Sequence, residues 1–205
     1  EIYMGDWSSD VCSSDLAMVE PANQANITGI VVDAVGHETC YREYQGISPC
    51  KLTGTAPFRV VVHADVVGPY KLSVPRVDGA GCQVLPQGDF ATPGGVTAAL
   101  RPDRIAACYS VPAAGHSVAE IVQFARTGTA GSAKLMIVNG AGDEECHIDT
   151  DTEAFSVCSF EPGQAYSAVL VGDANTASFR VMRRDVTSTA KGCVGILYGD
   201  RKSVV

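Results

Sequence analysis

The sequence predicts an all-β protein built of tandem antiparallel β-sandwich modules of jelly-roll type, one complete and one partial. Three observations predict it. Short runs rich in Val, Ile, Phe and Tyr recur along the 205 residues, punctuated by many of the 21 glycines and 10 prolines. No stretch shows the 3.6-residue apolar spacing of an amphipathic helix. A series of residues also recurs at separations of 106 to 111 positions. That period fits a domain-sized unit better than the units of roughly 20–50 residues that stack into solenoids.

The recurrence has five anchors. The segment from Val32 through Asp33 and Gly36 to Cys40 precedes that from Val138 through Asn139 and Gly142 to Cys146 by 106 positions. Cys50 stands 108 positions before Cys158, as Phe58 does before Tyr166 and Asp65 before Asp173. Val74, Arg76 and Asp78 lie 107 before Val181, Arg183 and Asp185, and Gly81-Cys82 lies 111 before Gly192-Cys193. Residues 17–80 are then the C-terminal part of one unit, 81–192 a complete unit, and 193–199 the start of a third.

Taken in order, the strand signals are local. Lys71–Val74 and Ser178–Arg183 alternate apolar and polar residues, the period of a half-buried strand. Ile105–Val111, Val118–Phe124, Leu135–Val138, Phe155–Phe160 and Tyr166–Val171 are short β-branched and aromatic runs. Gly and Pro clusters such as Pro93-Gly94-Gly95, Gly140-Ala141-Gly142 and Pro162-Gly163 separate them. Pro75 places an edge or a bulge after the Lys71 strand. The acidic stretch from Asp143 to Glu153 reads as a solvated loop.

Both termini look foreign to this pattern. Residues 6–16 (DWSSDVCSSDL) repeat Ser-Ser-Asp without periodicity and resemble a translated sequencing adapter, and 200–205 (DRKSVV) resemble one from the opposite end. Residues 1–16 and 200–205 are accordingly expected to be adapter-derived, leaving 17–199 as a fragment open at both ends. Their removal takes five acids and two bases and moves the net charge from −8 to −5. It also leaves seven of the eight cysteines.

Composition excludes several classes. With 46% hydrophobic and 19% charged residues the chain is too apolar for a disordered protein. No apolar run approaches the ~20 residues of a membrane span. The acidic balance offers no field for nucleic acid or an anionic membrane.

The cysteines point to an oxidising compartment. There is no CxxC, and the spacings are not those of zinc ligands. The recurrence pairs Cys40 with Cys50 and Cys146 with Cys158, because the two sets occupy matching positions. Cys82 and Cys108 remain as the third pair, and Cys193, which matches Cys82, is left over. Regular disulfides in small β units imply an extracellular or cell-surface location.

In this setting the complete unit resembles the bacterial pre-peptidase C-terminal (PPC) domains and related secreted sandwich repeats. The similarity rests on Cys108-Tyr109-Ser110-Val111 followed by the turn at Gly115 and the strand Val118–Phe124. It continues through Leu135 to Asn139-Gly140-Ala141-Gly142, then Gly163-Gln164-Ala165-Tyr166 and Phe179-Arg180-Val181. The resemblance implies a noncatalytic module of a secreted protein. Such a module serves as a spacer, as a binder of extracellular polymer or surface components, or at times as a calcium site, with neighbouring repeats of its own chain as partners.

Gly115-His116-Ser117 lacks the G-x-S-x-G elbow of a hydrolase, and His37, His63, His116 and His147 are scattered. Asp143, Glu145, Asp149, Asp151 and Glu153 are the candidate calcium ligands, since alternate acids on one loop supply oxygen donors. Asn26-Ile27-Thr28 fits a glycosylation sequon, and Tyr41 and Tyr44 are candidates to stack on sugars. Arg180, Arg183 and Arg184 read as outward cations guarding a sheet. The expected function is noncatalytic spacing or ligand presentation in a larger secreted protein. The alternatives are accessory domains of a secreted hydrolase, a peptidase first of all, or a calcium-dependent polymer-binding module.

Overall fold

The structure, a computed structural model, describes residues 2–4, 15–21, 27–43, 46–64, 70–74, 79–92, 94–173, 176–187 and 191–192. Every regular element among them is a strand. The first seven are β1 (Ile2–Met4), β2 (Asp15–Pro21), β3 (Ile27–Val32), β4 (Glu38–Glu43), β5 (Gly46–Cys50), β6 (Arg59–Ala64) and β7 (Tyr70–Ser73). Two short strands follow, β8 (Gln83–Val84) and β9 (Gln87–Gly88). Eight longer ones complete the chain: β10 (Val96–Leu100), β11 (Ala106–Val111), β12 (Ala119–Arg126), β13 (Ala133–Asn139), β14 (Glu144–Asp151), β15 (Glu153–Ser159), β16 (Tyr166–Gly172) and β17 (Ala177–Asp185).

The eight longer strands form a β-sandwich. One sheet runs β10-β17-β12-β15 and the other β14-β13-β16-β11. Successive strands thus switch between sheets or wrap around them, the jelly-roll arrangement of two Greek keys. The period-2 alternation dictates it. On β12, Glu120, Val122 and Phe124 are buried while their neighbours are half exposed, so one face turns inward. Phe124 and Phe179 meet edge to face with ring centres 5.8 Å apart. Leu135, Ile137 and Leu170 from the opposite sheet close the core around them. The β8–β9 segment steps from sheet to sheet, β8 running parallel to β11 and β9 parallel to β17. Between them Leu85 is fully buried in the core.

Three disulfide pairs fasten this frame, with Cα atoms 5.7 Å apart for Cys40–Cys50, 5.1 Å for Cys82–Cys108 and 5.6 Å for Cys146–Cys158. Cys146 on β14 and Cys158 on β15 belong to edge strands of opposite sheets, so this bridge stitches the two sheets together. Cys82 ties the start of β8 to β11.

The seven N-terminal strands show the same order. The sheet β1-β6-β3-β4 matches β11-β16-β13-β14, and β5-β2-β7 matches β15-β12-β17. Among the described residues nothing there corresponds to β10. A smaller buried cluster of Val31, Leu52, Phe58, Val60 and Val62 fills this part.

The structure adds two strands to those the sequence names, one of them in place of an expected loop. All seven strand segments named above are strands, but β10 and β14 also form. β10 pairs with β17, burying Ala98 and Leu100 while Thr97 and Ala99 face out. β14, the acidic stretch read as a loop, pairs with β13 through Ile137↔Cys146 and Leu135↔Ile148. Its Glu145, His147 and Asp149 face solvent in alternation with Cys146 and Ile148. At the N-terminus β1 lies along β6, and Asp15 and Leu16 pair with Cys50 and Pro49. An open sheet edge offers unpaired N–H and C=O groups, which β1 satisfies along β6. Pro75, Arg76, Asp78, Cys193 and residues 200–205 lie outside the described residues, as do Asn26 and Tyr44.

Candidate functional site

The acidic candidates sit around the β13–β14 hairpin. Its turn is built by Asn139, whose Oδ1 accepts hydrogen bonds from the backbone N–H of Ala141 at 2.9 Å and of Asp143 at 3.0 Å. Gly142 takes φ of 82°, a conformation open to glycine at little cost. The Asn139 amide donates from Nδ2 to Glu145 Oε1 at 3.0 Å, and Asp143 Oδ2 lies 3.5 Å from the same nitrogen. Farther along β14, Glu144 meets His147 Nδ1 at 2.5 Å, and Asp149 lies 3.6 Å from Lys134 Nζ. Asp151 Oδ1 accepts from the N–H of Thr152, at the turn into β15. Glu153 opens β15 and is exposed.

The structure therefore brings Asp143 and Glu145 to one amide, sends Asp149 to a lysine and a histidine, and leaves Asp151 and Glu153 at the far end of the hairpin. Strand alternation spreads the acids along one edge and does not fold them around a point. Among the described residues no group of three or more His, Cys, Asp or Glu side chains is arranged to hold a metal ion.

The β3–β4 hairpin carries the same turn. Asp33 Oδ1 accepts from Val35 N–H at 3.0 Å and from His37 N–H at 2.8 Å. The Asp33 N–H donates to His37 O at 2.9 Å, as the Asn139 N–H does to Asp143 O at 2.9 Å. Gly36 takes φ of 88° where Gly142 takes 82°. The ladder also slips at matching points, between Val31 and Val32 and between Ile137 and Val138. Burial opposes ionisation of Asp33, but the N–H donors of His37 and Val35, with the His37 charge, outweigh it and hold the carboxyl below its usual value.

Between the two hairpins lies a groove of about 520 Å³ lined by Glu38, Tyr41, Lys51, Asp143 and Glu144. Tyr41, the sugar-stacking candidate, is 41% exposed there. A second cleft of about 420 Å³ opens beside β10 and β11 and is lined by Gln83, Thr97, Arg104 and Tyr109. Burial pushes the Tyr109 hydroxyl up to about 12, against the opposing pull of the Arg104 charge.

Among the described residues His116 makes no nucleophile–base pair. Its Nε2 lies 2.7 Å from Gln164 O, and its ring packs 5.2 Å from Phe160 and 5.5 Å from Tyr166. It closes the end of the core. His37 lies 3.6 Å from Asp33 with an exposed side chain, and His63 is exposed on β6.

Arg183 corrects the outward reading of the arginines. It is 2% exposed, and NH1 meets both oxygens of the fully buried Glu120 at 3.0 and 2.9 Å. Its Nε donates to Leu85 O at 2.8 Å and NH2 to Gly115 O at 2.5 Å. Glu120 Oε1 also accepts from Ser117 N–H at 2.8 Å and from Gln87 Nε2 at 2.6 Å. The pair thus ties the β8–β9 entry segment to β12 and β17. The signal was present in the sequence: Arg183 shares strand parity with Phe179 and Val181, and Glu120 with Val122 and Phe124. Arg180 and Arg184 do lie on the outer side, Arg180 donating to Gly94 O at 3.3 Å and Arg184 lying 5.5 Å from the Phe90 ring centre.

No family model and no curated protein sequence matches the chain. Among solved structures it is similar to a chain of infectious bursal disease virus Gt strain, with 9% identity and a TM-score of 0.26 over 83% of this chain. It is also similar to the cowpea mosaic virus empty virus-like particle, with 13% identity and a TM-score of 0.24 over 90% of this chain and 85% of that one. The chain spans 54% of the bursal disease virus chain. Overlaps this loose carry no statement about function.

Proposed function

We propose that the chain is a stretch of tandem, disulfide-clipped β-sandwich modules that acts as a noncatalytic spacer or ligand-presenting segment of a larger extracellular protein. The observation that carries it is the pair of matching hairpins. Asp33 and Asn139 build the same turn, with the same glycine conformation and the same ladder slip, and each hairpin leads into a disulfide pair. The shared strand order of the two halves supports the same reading. Three cysteine pairs at bonding distance support an oxidising location. The resemblance to PPC domains belongs to this proposal, as does an extracellular polymer as partner.

Single-molecule force spectroscopy on the oxidised chain tests it. The expected trace has two separate unfolding events, one per module. Reduction lengthens one event by the 10-residue span of Cys40–Cys50 and the other by the 26- and 12-residue spans of Cys82–Cys108 and Cys146–Cys158. One cooperative event covering the whole chain overturns the modular reading.

A further inference from the structure

A sheet face opposite the core ordinarily meets water, yet one such face here is dry. Met136, Val138 and Val169 point away from the core residues Leu135, Ile137 and Leu170, and all three are fully buried. Strand β5 approaches β13, its Cα atoms coming within 8 Å of those of β13. The burial of this face beside β5 fits β5 of the first module as its cover.

The second module holds the counterpart of β5. Cys158 on β15 stands 108 positions after Cys50, so Phe155 and Val157 occupy the register positions of Ile47 and Pro49. Phe155 is 66% and Val157 59% exposed, adjacent outward positions on an edge strand. Large apolar side chains grouped on a surface mark an interaction site. The other half of the joint is also repeated. Ile30, Val32 and Val61 stand 106, 106 and 108 positions before Met136, Val138 and Val169, and in the first module this face is only half-buried.

We infer that the Phe155–Val157 stripe docks a second copy of this chain, which covers it with its own Ile30–Val32–Val61 face. This rests on the tandem reading above, since the equivalence of β5 and β15 defines both surfaces. The chain carries the joint once internally and its two halves again at opposite ends. Such an interface is heterologous and does not close on itself, so it builds linear assemblies.

Sedimentation velocity on the full oxidised chain tests the inference. Wild type is expected to show concentration-dependent growth beyond a dimer. Phe155→Glu is expected to weaken association at least about tenfold, because it presents a charge to an apolar face. Val61→Lys is expected to do the same from the other side, and the milder Val61→Thr keeps the β-branched shape if the lysine impairs folding. Mixing Phe155→Glu with the Val61 variant restores one intact joint and yields a dimer that stops there. A wild type that stays monomeric up to about 1 mM overturns the proposal. Association that survives Phe155→Glu overturns it as well. Association lost with Phe155→Glu but indifferent to both Val61 variants shows the stripe pairing with itself and overturns the head-to-tail arrangement. Failure of the modular reading is told apart by the force traces, which then show one cooperative event, whereas failure of the docking inference alone leaves two events and no association.

Discussion

A buried arginine is tolerated only where every nitrogen finds an acceptor, and Arg183 meets that condition through Glu120, Leu85 O and Gly115 O. Removing one partner leaves the other charge in the core, so Arg183→Ala or Glu120→Ala is expected to cost about 3–5 kcal/mol. The double variant Glu120→Leu with Arg183→Met removes both charges together and is expected to cost clearly less than the sum of the two single changes. Urea denaturation of the four proteins measures this. Strict additivity would show that the two residues do not act as a unit. Arg183→Lys keeps the charge but loses the planar fork that reaches three acceptors at once, so it should fall between wild type and alanine.

At the scale of elements the hairpin turn is the informative unit, because the chain builds it twice with different chemistry. Asp33 and Asn139 use the same oxygen for the same two N–H donors, but Asp33 can titrate. Its carboxyl is held below the usual value, so its stabilisation is present above the unfolded aspartate range, about pH 4, and is lost as pH falls through the lower folded value. Asp185, held low in the same way by Thr187 and Ser117 donors against the opposing effect of burial, loses its contribution over the same window. Asp33→Asn is expected to preserve the hairpin at neutral pH and to flatten the acid limb of the melting curve, while Asp33→Ala removes the acceptor and lowers the melting temperature at pH 7. Thermal melts between pH 3 and 7 check this, and an unchanged acid limb in Asp33→Asn would exclude the turn as its source.

This turn was legible in the sequence as a recurring Asx-x-x-Gly, whereas the strand that follows it was not. β14 escaped notice because, among its described side chains, only Cys146 and Ile148 face inward on an edge strand, so charge outweighed alternation. β10 was hidden by its small residues, Ala98 and Ala99, although Ala98 and Leu100 bury fully. The candidate calcium acids were visible as a composition but not as a geometry, since only the pairing of β14 with β13 decides which of them can meet.

For the whole molecule, the two halves share a strand order but not a core. The second sandwich closes around Phe124, Phe179, Leu135, Ile137 and Leu170, all at or near complete burial and drawn from both sheets. The described core of the first half rests on Val31, Leu52, Phe58, Val60 and Val62 with the Cys40–Cys50 pair. Among the described residues its sheet β5-β2-β7 has no counterpart of β10, the strand that buries Ala98 and Leu100 in the second half. Buried apolar area is the main favourable term in folding, so the first half should open at lower free energy than the second. Hydrogen exchange measured by mass spectrometry on the oxidised chain reads this directly. Amides of β12, β13 and β16 are expected to exchange slowest, and those of β3 and β6 faster by at least about tenfold, a gap of about 1.4 kcal/mol. β5 approaches β13, where Met136 is fully buried, so Met136→Lys is expected to raise exchange in β13 and in β5 together. Equal protection across both halves would mean that they unfold as one cooperative body and that the division between residues 80 and 81 has no energetic meaning.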